Sequence, residues 1–258
     1  MKFKKDFKKI LFKLKNGEPF AFTRFSDGEI CIMQNKELKL ANDHVVMGNI
    51  KYGFGYSSDD HKHFEPDKHS FLKDKLIEAY TFKKENYFVG GICEGCTCAS
   101  KNFAPWMHKL YGKMDENLTS TNLLVNSNYN LFVKHFIPEL KNKKIVFVCS
   151  ENADLSKTQF NIIKDFRVGK NCIVNDHHLI DKIKQWILKE NIKDHVFLFS
   201  ASSLSEVLIH ELFKDCDQNT YIDIGTTMHP FIDLPVERDY LKSYWNNMPH
   251  PDLFKSCV

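Results

Sequence analysis

Two carboxylates one residue apart, Asp27 and Glu29, stand in the run Phe22-Thr23-Arg24-Phe25-Ser26-Asp27-Gly28-Glu29. Hard oxygen ligands at that spacing suit Mg²⁺ or Mn²⁺. Gly28 between them allows a sharp turn and the close approach of a ligand. The chemistry this points to is a metal site for a phosphorylated substrate. Arg24, three residues before Asp27, offers charge-assisted hydrogen bonds to a phosphate, or else holds the acidic turn in place. An acidic turn with glycine is also an ordinary solvated loop, so its surroundings decide its meaning.

Those surroundings are strand-like apolar runs alternating with helical patterns. Ala21–Phe25 reads as a strand, with a short helix from Gly28. Ser70–Lys83 has helical spacing, and Tyr87–Gly90 is a short strand. Leu123–Asn126 and Tyr129–Phe136 suggest a strand and a helix, and Ile145–Cys149 a buried strand followed by a helix from about Leu155. Cys172–Val174 as strand and His177–Lys189 as helix repeat the pattern. Val196–Phe199, Ser203–Phe213 and Tyr221–Ile224 close it as strand, helix and strand. Such alternation predicts an α/β fold, a mainly parallel sheet with helices on both faces, Rossmann-like. No linker or repeat divides the chain, so residues 18–258 are expected to form one domain, with a loop-rich insertion at about 41–69.

Ligands of such sheets lie beyond the carboxyl ends of the strands. The turns there are Asp27-Gly28-Glu29, Gly90-Gly91, Asn126-Ser127-Asn128, Ser150-Glu151-Asn152, Ser200-Ala201-Ser202-Ser203 and Gly225-Thr226-Thr227. Small polar turns that feed helix N-termini suit phosphate, and the same residues are ordinary helix caps. The chain has no Gly-x-Gly-x-x-Gly, no Gly-x-x-x-x-Gly-Lys and no Gly-x-Ser-x-Gly. A nucleotide or phosphosugar site with a metal remains.

Composition narrows the classes further. The 258 residues are 43% hydrophobic and 27% charged, ordinary globular values, and the net charge of +3 gives no general support for nucleic acid binding. The uninterrupted apolar runs are strand-sized, which predicts a soluble, cytoplasmic chain without a transmembrane helix or secretory segment. Eight cysteines include Cys93-x-x-Cys96-x-Cys98, but no second pair or histidine pattern completes a zinc set, so reduced structural thiols are expected. Residues 1–17 read as a basic amphipathic helix belonging to the same domain. Phe3, Phe7, Ile10, Leu11 and Leu14 line one face and lysines the other. Packing on the domain is the simpler role for it. Peripheral contact of residues 2–15 with an anionic membrane surface is the sharper one.

The octapeptide at 22–29 resembles the Arg-x-Gly-Asp-Gly-Glu signature of the GT-D-type glycosyltransferases, with Ser26 where glycine is usual. Asn126–Asn130, Lys144–Ser150, Val196–Ser202 and Tyr221–Thr226 look similar to that family and occur in its order, so the resemblance spans roughly 18 to 245. The turn Ser200-Ala201-Ser202 departs from it, lacking the family's frequent glycine. The resemblance implies transfer of a sugar from a nucleotide-sugar donor, a UDP-sugar, to a glycan or glycoconjugate acceptor, with Mn²⁺ or Mg²⁺. Asp27 and Glu29 would contact the metal and diphosphate and serve catalysis. Donor-binding positions are then Arg24, Gly28, Asn128, Ser150, Asn152, Ser200, Ser202, Asp223 and Gly225. A general base is not singled out; Glu151, Asp154, Asp223 and His229 all lie near strand ends, and His229 is the most mobile of them. Another Rossmann-like nucleotide-dependent enzyme, such as a methyltransferase, and a non-catalytic sugar-nucleotide or glycan-binding module stay as alternatives.

Overall fold

The computed structural model describes residues 3–41, 43–53, 61–93 and 103–248. Helix α1 (Phe3–Asn16) buries Phe7, Ile10 and Leu14 and stops at Gly17, whose φ of +70° suits glycine. Strand β1 (Ala21–Arg24) runs into α2 (Asp27–Met33). Four short strands follow: β2 (Leu38–Leu40), β3 (Val45–Met47), β4 (Ile50–Tyr52) and β5 (His63–Phe64). They form a separate antiparallel sheet in the order β4-β3-β2-β5. Helix α3 (Pro66–Thr81) leads to β6 (Tyr87–Gly91), and α4 (Phe103–Tyr111) to β7 (Leu118–Ser120).

A helical stretch comes next: α5 (Tyr129–Leu131) continues through a π-helical turn, Phe132–Phe136, into α6 (Ile137–Leu140). Strands β8 (Ile145–Ser150) and β9 (Ile162–Val168) precede α7 (Cys172–Asn175) and α8 (Leu179–Lys189). The chain closes with β10 (Val196–Phe199), α9 (Leu204–Asp215), β11 (Thr220–Asp223) and α10 (Asp239–Asn246).

The main sheet has seven strands, all parallel, in the order β7-β6-β1-β11-β10-β8-β9. Helices cover both faces, because the central strands carry apolar side chains on both. Phe197, Phe199 and Tyr221 face the layer of α2, α3, α4, α8 and α9. Phe22, Leu198 and Ile222 face α1, the α5–α6 stretch and α10. The apolar side of α1 is thus part of the core, while Phe12 on it stays 60% exposed. No helix among the described residues is long and apolar enough to cross a membrane.

Four expected elements differ. Leu123–Asn126 is not a strand: Leu123, Leu124 and Val125 are buried in a turn, and the neighbouring strand is β7, whose Thr119 and Ser120 are buried polar residues. Thr119 donates to Asp6 Oδ2 at 2.9 Å, so a polar run could enter the sheet. The helix expected from Leu155 is absent. Asp154 Oδ1 instead accepts the Ser156 N–H at 2.9 Å in an Asx turn, and β9 follows as an edge strand carrying Lys164, Asp165 and Arg167. Charges are what an exposed edge favours, and they hid the strand's pattern. Cys172–Val174 begins α7, starting from left-handed Asn171, rather than a strand. The insertion at 41–69 holds most of the antiparallel sheet and the start of α3, because strands of two or three residues are too short to show a period.

Candidate active site

The carboxyl ends of β1, β6 and β11 meet around Arg24. Its Nε donates to the Thr121 carbonyl at 3.0 Å, just after β7, and its Nη1 lies 3.9 Å from Asp223 Oδ2 at the end of β11. Arg24 therefore pairs with Asp223 across the strand boundary, not with Asp27 or Glu29 of its own turn. Gly225 has φ +49°, and a Cβ there would stand 2.5 Å from Arg24 Nη1. Both the turn and the guanidinium's seat therefore require glycine at that position. The Gly225 N–H in turn donates to Asp223 Oδ1 at 2.8 Å.

Glu29 is buried at the start of α2. Its Oε2 accepts the Ser26 N–H at 3.0 Å, the backward half of a capping box. Its Oε1 accepts from the Ser203 hydroxyl and lies 3.4 Å from Lys62 Nζ, which also donates to Ser203 Oγ at 2.6 Å. Burial pushes the Glu29 carboxyl up, but Lys62, Ser203 and the Ser26 N–H outweigh it and hold it below its ordinary value. A Cβ at Gly28 would stand 3.4 Å from Lys62 Nζ and 3.6 Å from Leu38 Cδ2, ordinary contacts, so the arrangement does not itself require glycine there. Asp27, by contrast, is exposed, with Oδ1 accepting from the Gly28 N–H at 3.0 Å and from Ser26 Oγ at 3.1 Å.

A third carboxyl completes the cluster. Glu206, in the first turn of α9, is buried against Asp223. Burial and the neighbouring Asp223 and Glu29 carboxylates push its pKa well above the usual range. Two cations, Arg24 and Lys62, thus face three carboxyl groups, Glu29, Asp223 and Glu206, and burial pushes the Asp223 pKa up despite Arg24 beside it. The nearby cations make the burial of Glu29 and Asp223 tolerable.

The arrangement bears on a divalent ion. Mg²⁺ keeps several waters and is held by one or two carboxylates with substrate phosphates. Exposed Asp27 fits that description. Glu29 fits it only if Lys62 and Ser203 give up Oε1, because its other oxygen caps the helix.

The remaining expected residues are spread along the same sheet edge. Ser200 and left-handed Ser202 follow β10, with the Ser200 N–H bonded to the Val148 carbonyl at 2.8 Å. Ser150 ends β8, beyond β10, and exposed Asn152 follows it, with Ser150 Oγ accepting the Asn152 N–H at 3.2 Å. Asn128 is buried and donates to the Asn122 carbonyl at 2.9 Å, bracing the turn after β7. His229 begins a 3₁₀ turn after β11, with Nδ1 at 3.3 Å from the Pro235 carbonyl within its own loop. The cluster around Arg24 thus unites Glu29, Asp223 and Gly225. Its described contacts do not include Ser150, Asn152, Asn128 or His229.

Sequence reasoning missed Lys62, Glu206 and Thr121 and named Ser203 only as part of a turn. Ser203-Leu204-Ser205-Glu206 has the Ser-x-x-Glu spacing of a capping box, as Ser26-x-x-Glu29 does, and that spacing marked both helix starts. Lys62 carried no signal, since the insertion brings it in from a distance. Cys31 and Cys149 are buried thiols, each pushed up to about 11 by burial. Cys96 and Cys98 lie outside the described residues. A surface cleft of about 570 Å³ lined by Pro19, Asn86, Asp194 and Gln218 sits at the amino ends of the strands, opposite the end where parallel sheets bind ligands.

No family model and no curated protein matches the chain. Solved structures do. One, described as the highly conserved domain of unknown function 1792 with a distinct glycosyltransferase fold, is 15% identical at TM-score 0.52, covering 86% of this chain and 77% of that one. Another, described as a new glycosyltransferase of that domain type from Streptococcus sanguinis, is 14% identical at TM-score 0.53, covering 86% of this chain and 80% of its own. The likeness defines the fold: a parallel α/β sheet of the glycosyltransferase type.

Proposed function

We propose that the chain is a glycosyltransferase that moves a sugar from a nucleotide-sugar donor, a UDP-sugar, to a hydroxyl of a glycan or glycoconjugate acceptor. The reading is carried by one observation. A fold likened to glycosyltransferases over 86% of the chain carries its Arg24–Asp223–Glu29–Lys62 cluster at the carboxyl ends of its central strands. The donor diphosphate lies there, with Arg24 and the N-terminus of α2 facing it. A Mn²⁺ or Mg²⁺ ion held by Asp27 and the diphosphate would neutralise the charge that grows as the nucleotide leaves. Gly28, Ser200, Ser202 and Gly225 line the donor's path, and Asn128, Ser150 and Asn152 its margin. Asp223 positions Arg24, which removes it from the candidate bases, and His229 on its exposed loop is assigned as base. Contact of the lysine face of α1 with anionic lipid belongs to the same proposal.

One observation favours a variant of this reading. Lys62 already neutralises Glu29, so Lys62 could stand where a metal would, leaving Arg24 to face the diphosphate without an ion. Calorimetric titration with UDP, with Mn²⁺ and then with EDTA, separates the two. Binding that collapses in EDTA supports the metal-held diphosphate, and binding that ignores EDTA supports the lysine variant. Absence of UDP binding under both conditions counts against the donor assignment itself.

A further inference from the structure

Away from the crevice, α3 and α9 bring together three side chains that the proposed reaction does not use. We propose that Glu78 of α3 and His210 and Glu211 of α9 form a binding site for a divalent transition ion of the zinc type. Their ligand atoms all lie within 4.8 Å of one another. A nitrogen and two carboxylate oxygens are a donor set that Zn²⁺ accepts, with water completing a tetrahedron.

His210 supplies the second observation. The residue is only 4% exposed, and its Nδ1 is buried with no hydrogen-bond partner. Glu211 Oε1 is the near carboxylate at 3.8 Å, too far for a hydrogen bond but close to the separation of two ligands on one ion. Burial pushes the His210 pKa down, so the ring is neutral and keeps a lone pair for a metal. Phe82 and Tyr87 flank it at 4.8 and 6.3 Å between ring centroids, which fixes the imidazole plane. An orphaned buried nitrogen costs stability unless something satisfies it.

The position already attracts a cation. Lys75 Nζ stands 2.7 Å from Glu211 Oε1 and 3.3 Å from Glu78 Oε2. Its side chain is 40% exposed, so it can swing into water and leave the two carboxylates to an ion. Lys75 is therefore a tethered competitor. The site lies on α9 about seven residues from Ser203, roughly 10 Å along the helix axis from the crevice. An ion there would clamp α3, which follows Lys62 and β5, onto α9.

Zn²⁺ titration of the full chain against a chromophoric chelator tests this, with Cys93, Cys96 and Cys98 all changed to Ser to silence thiol binding. The expected result is saturable binding of one ion. Glu78→Gln, an exposed change that leaves the core intact, should weaken it about tenfold or more. Lys75→Met, by removing the competitor, should tighten it, and Zn²⁺ should raise the unfolding temperature of both the serine background and Lys75→Met. Binding that vanishes with the three cysteines overturns the proposal. So does binding that Glu78→Gln leaves unchanged or that Lys75→Met weakens.

Discussion

Replacing Lys62 by Met removes the ammonium beside Glu29 while keeping much of the side-chain volume. Glu29 is 8% exposed and Lys62 5% exposed, so the variant leaves a buried carboxylate without its cation. Breaking a buried pair from one side costs about 3–5 kcal/mol. The hydroxyl of Ser203 and the N–H of Ser26 still bind Glu29, which places the expected loss near 3 kcal/mol, or a fall of about 6–12 °C in unfolding temperature for a chain of this size. The sign with pH follows from the direction of the shift. In the wild type the Glu29 pKa is depressed, so its contribution is present above the ordinary value of 4.5 and is lost as pH falls through the lower folded value. Without Lys62, only Ser203 and backbone N–H groups oppose burial, and that pKa rises. The gap between variant and wild type should then narrow on acidification toward 4.5, as Glu29 takes up a proton. Urea unfolding of wild type, Lys62→Met, Glu29→Gln and the double variant measures this. The double variant should recover part of the loss, because no charge is then stranded. A penalty under about 1 kcal/mol, the scale of an exposed pair, or one that ignores pH refutes the reasoning.

Three other outcomes are expected. Glu206 has a raised folded pKa, so its contribution is whole below 4.5 and declines as pH rises from there through the folded value. Glu206→Gln keeps a neutral, hydrogen-bonding side chain and should flatten that decline in unfolding measurements at neutral and alkaline pH. Gly225→Ala meets Arg24 Nη1 and a left-handed backbone at once, so it should cost about 1–2 kcal/mol from the backbone alone and weaken UDP binding as Arg24 shifts. Vesicle sedimentation should show α1 associating with anionic lipid only at low salt, because Phe7, Ile10 and Leu14 are committed to the core and lysines supply the remaining attraction. Retention at high salt would contradict that.

The alternation of apolar runs and helical periods was enough to read a parallel sheet, because buried central strands such as Ile145–Ser150 and Val196–Phe199 are nearly continuous in Val, Ile, Leu and Phe. It failed at the sheet's margins. Strand β9 is charged because it is an edge, and β7 is polar because Thr119 and Ser120 find partners inside the fold. For the site, the Asp27–Glu29 turn was visible, but the division of labour inside it was not. Glu29 closes a capping box and takes Lys62 from the small sheet, and only Asp27 faces solvent. Spacing along one segment cannot foretell which distant ammonium arrives. Asp223 was legible as a polar position alternating with Ile222 and Ile224, whereas its buried neighbour Glu206 sat within the helix expected at Ser203–Phe213 and was not singled out.

The central claim is that Asp27, Arg24 and the cluster behind them bind and activate a nucleotide-sugar. Release of nucleotide from a panel of nucleotide-sugars in the presence of Mn²⁺ tests it directly, with wild type, Asp27→Asn and Arg24→Gln compared. The account predicts turnover of one donor class by wild type and a loss of about a hundredfold or more in each variant, the scale for removing a group that stabilises transition-state charge. Full activity in Asp27→Asn and Arg24→Gln, or no turnover of any donor by wild type, would contradict it.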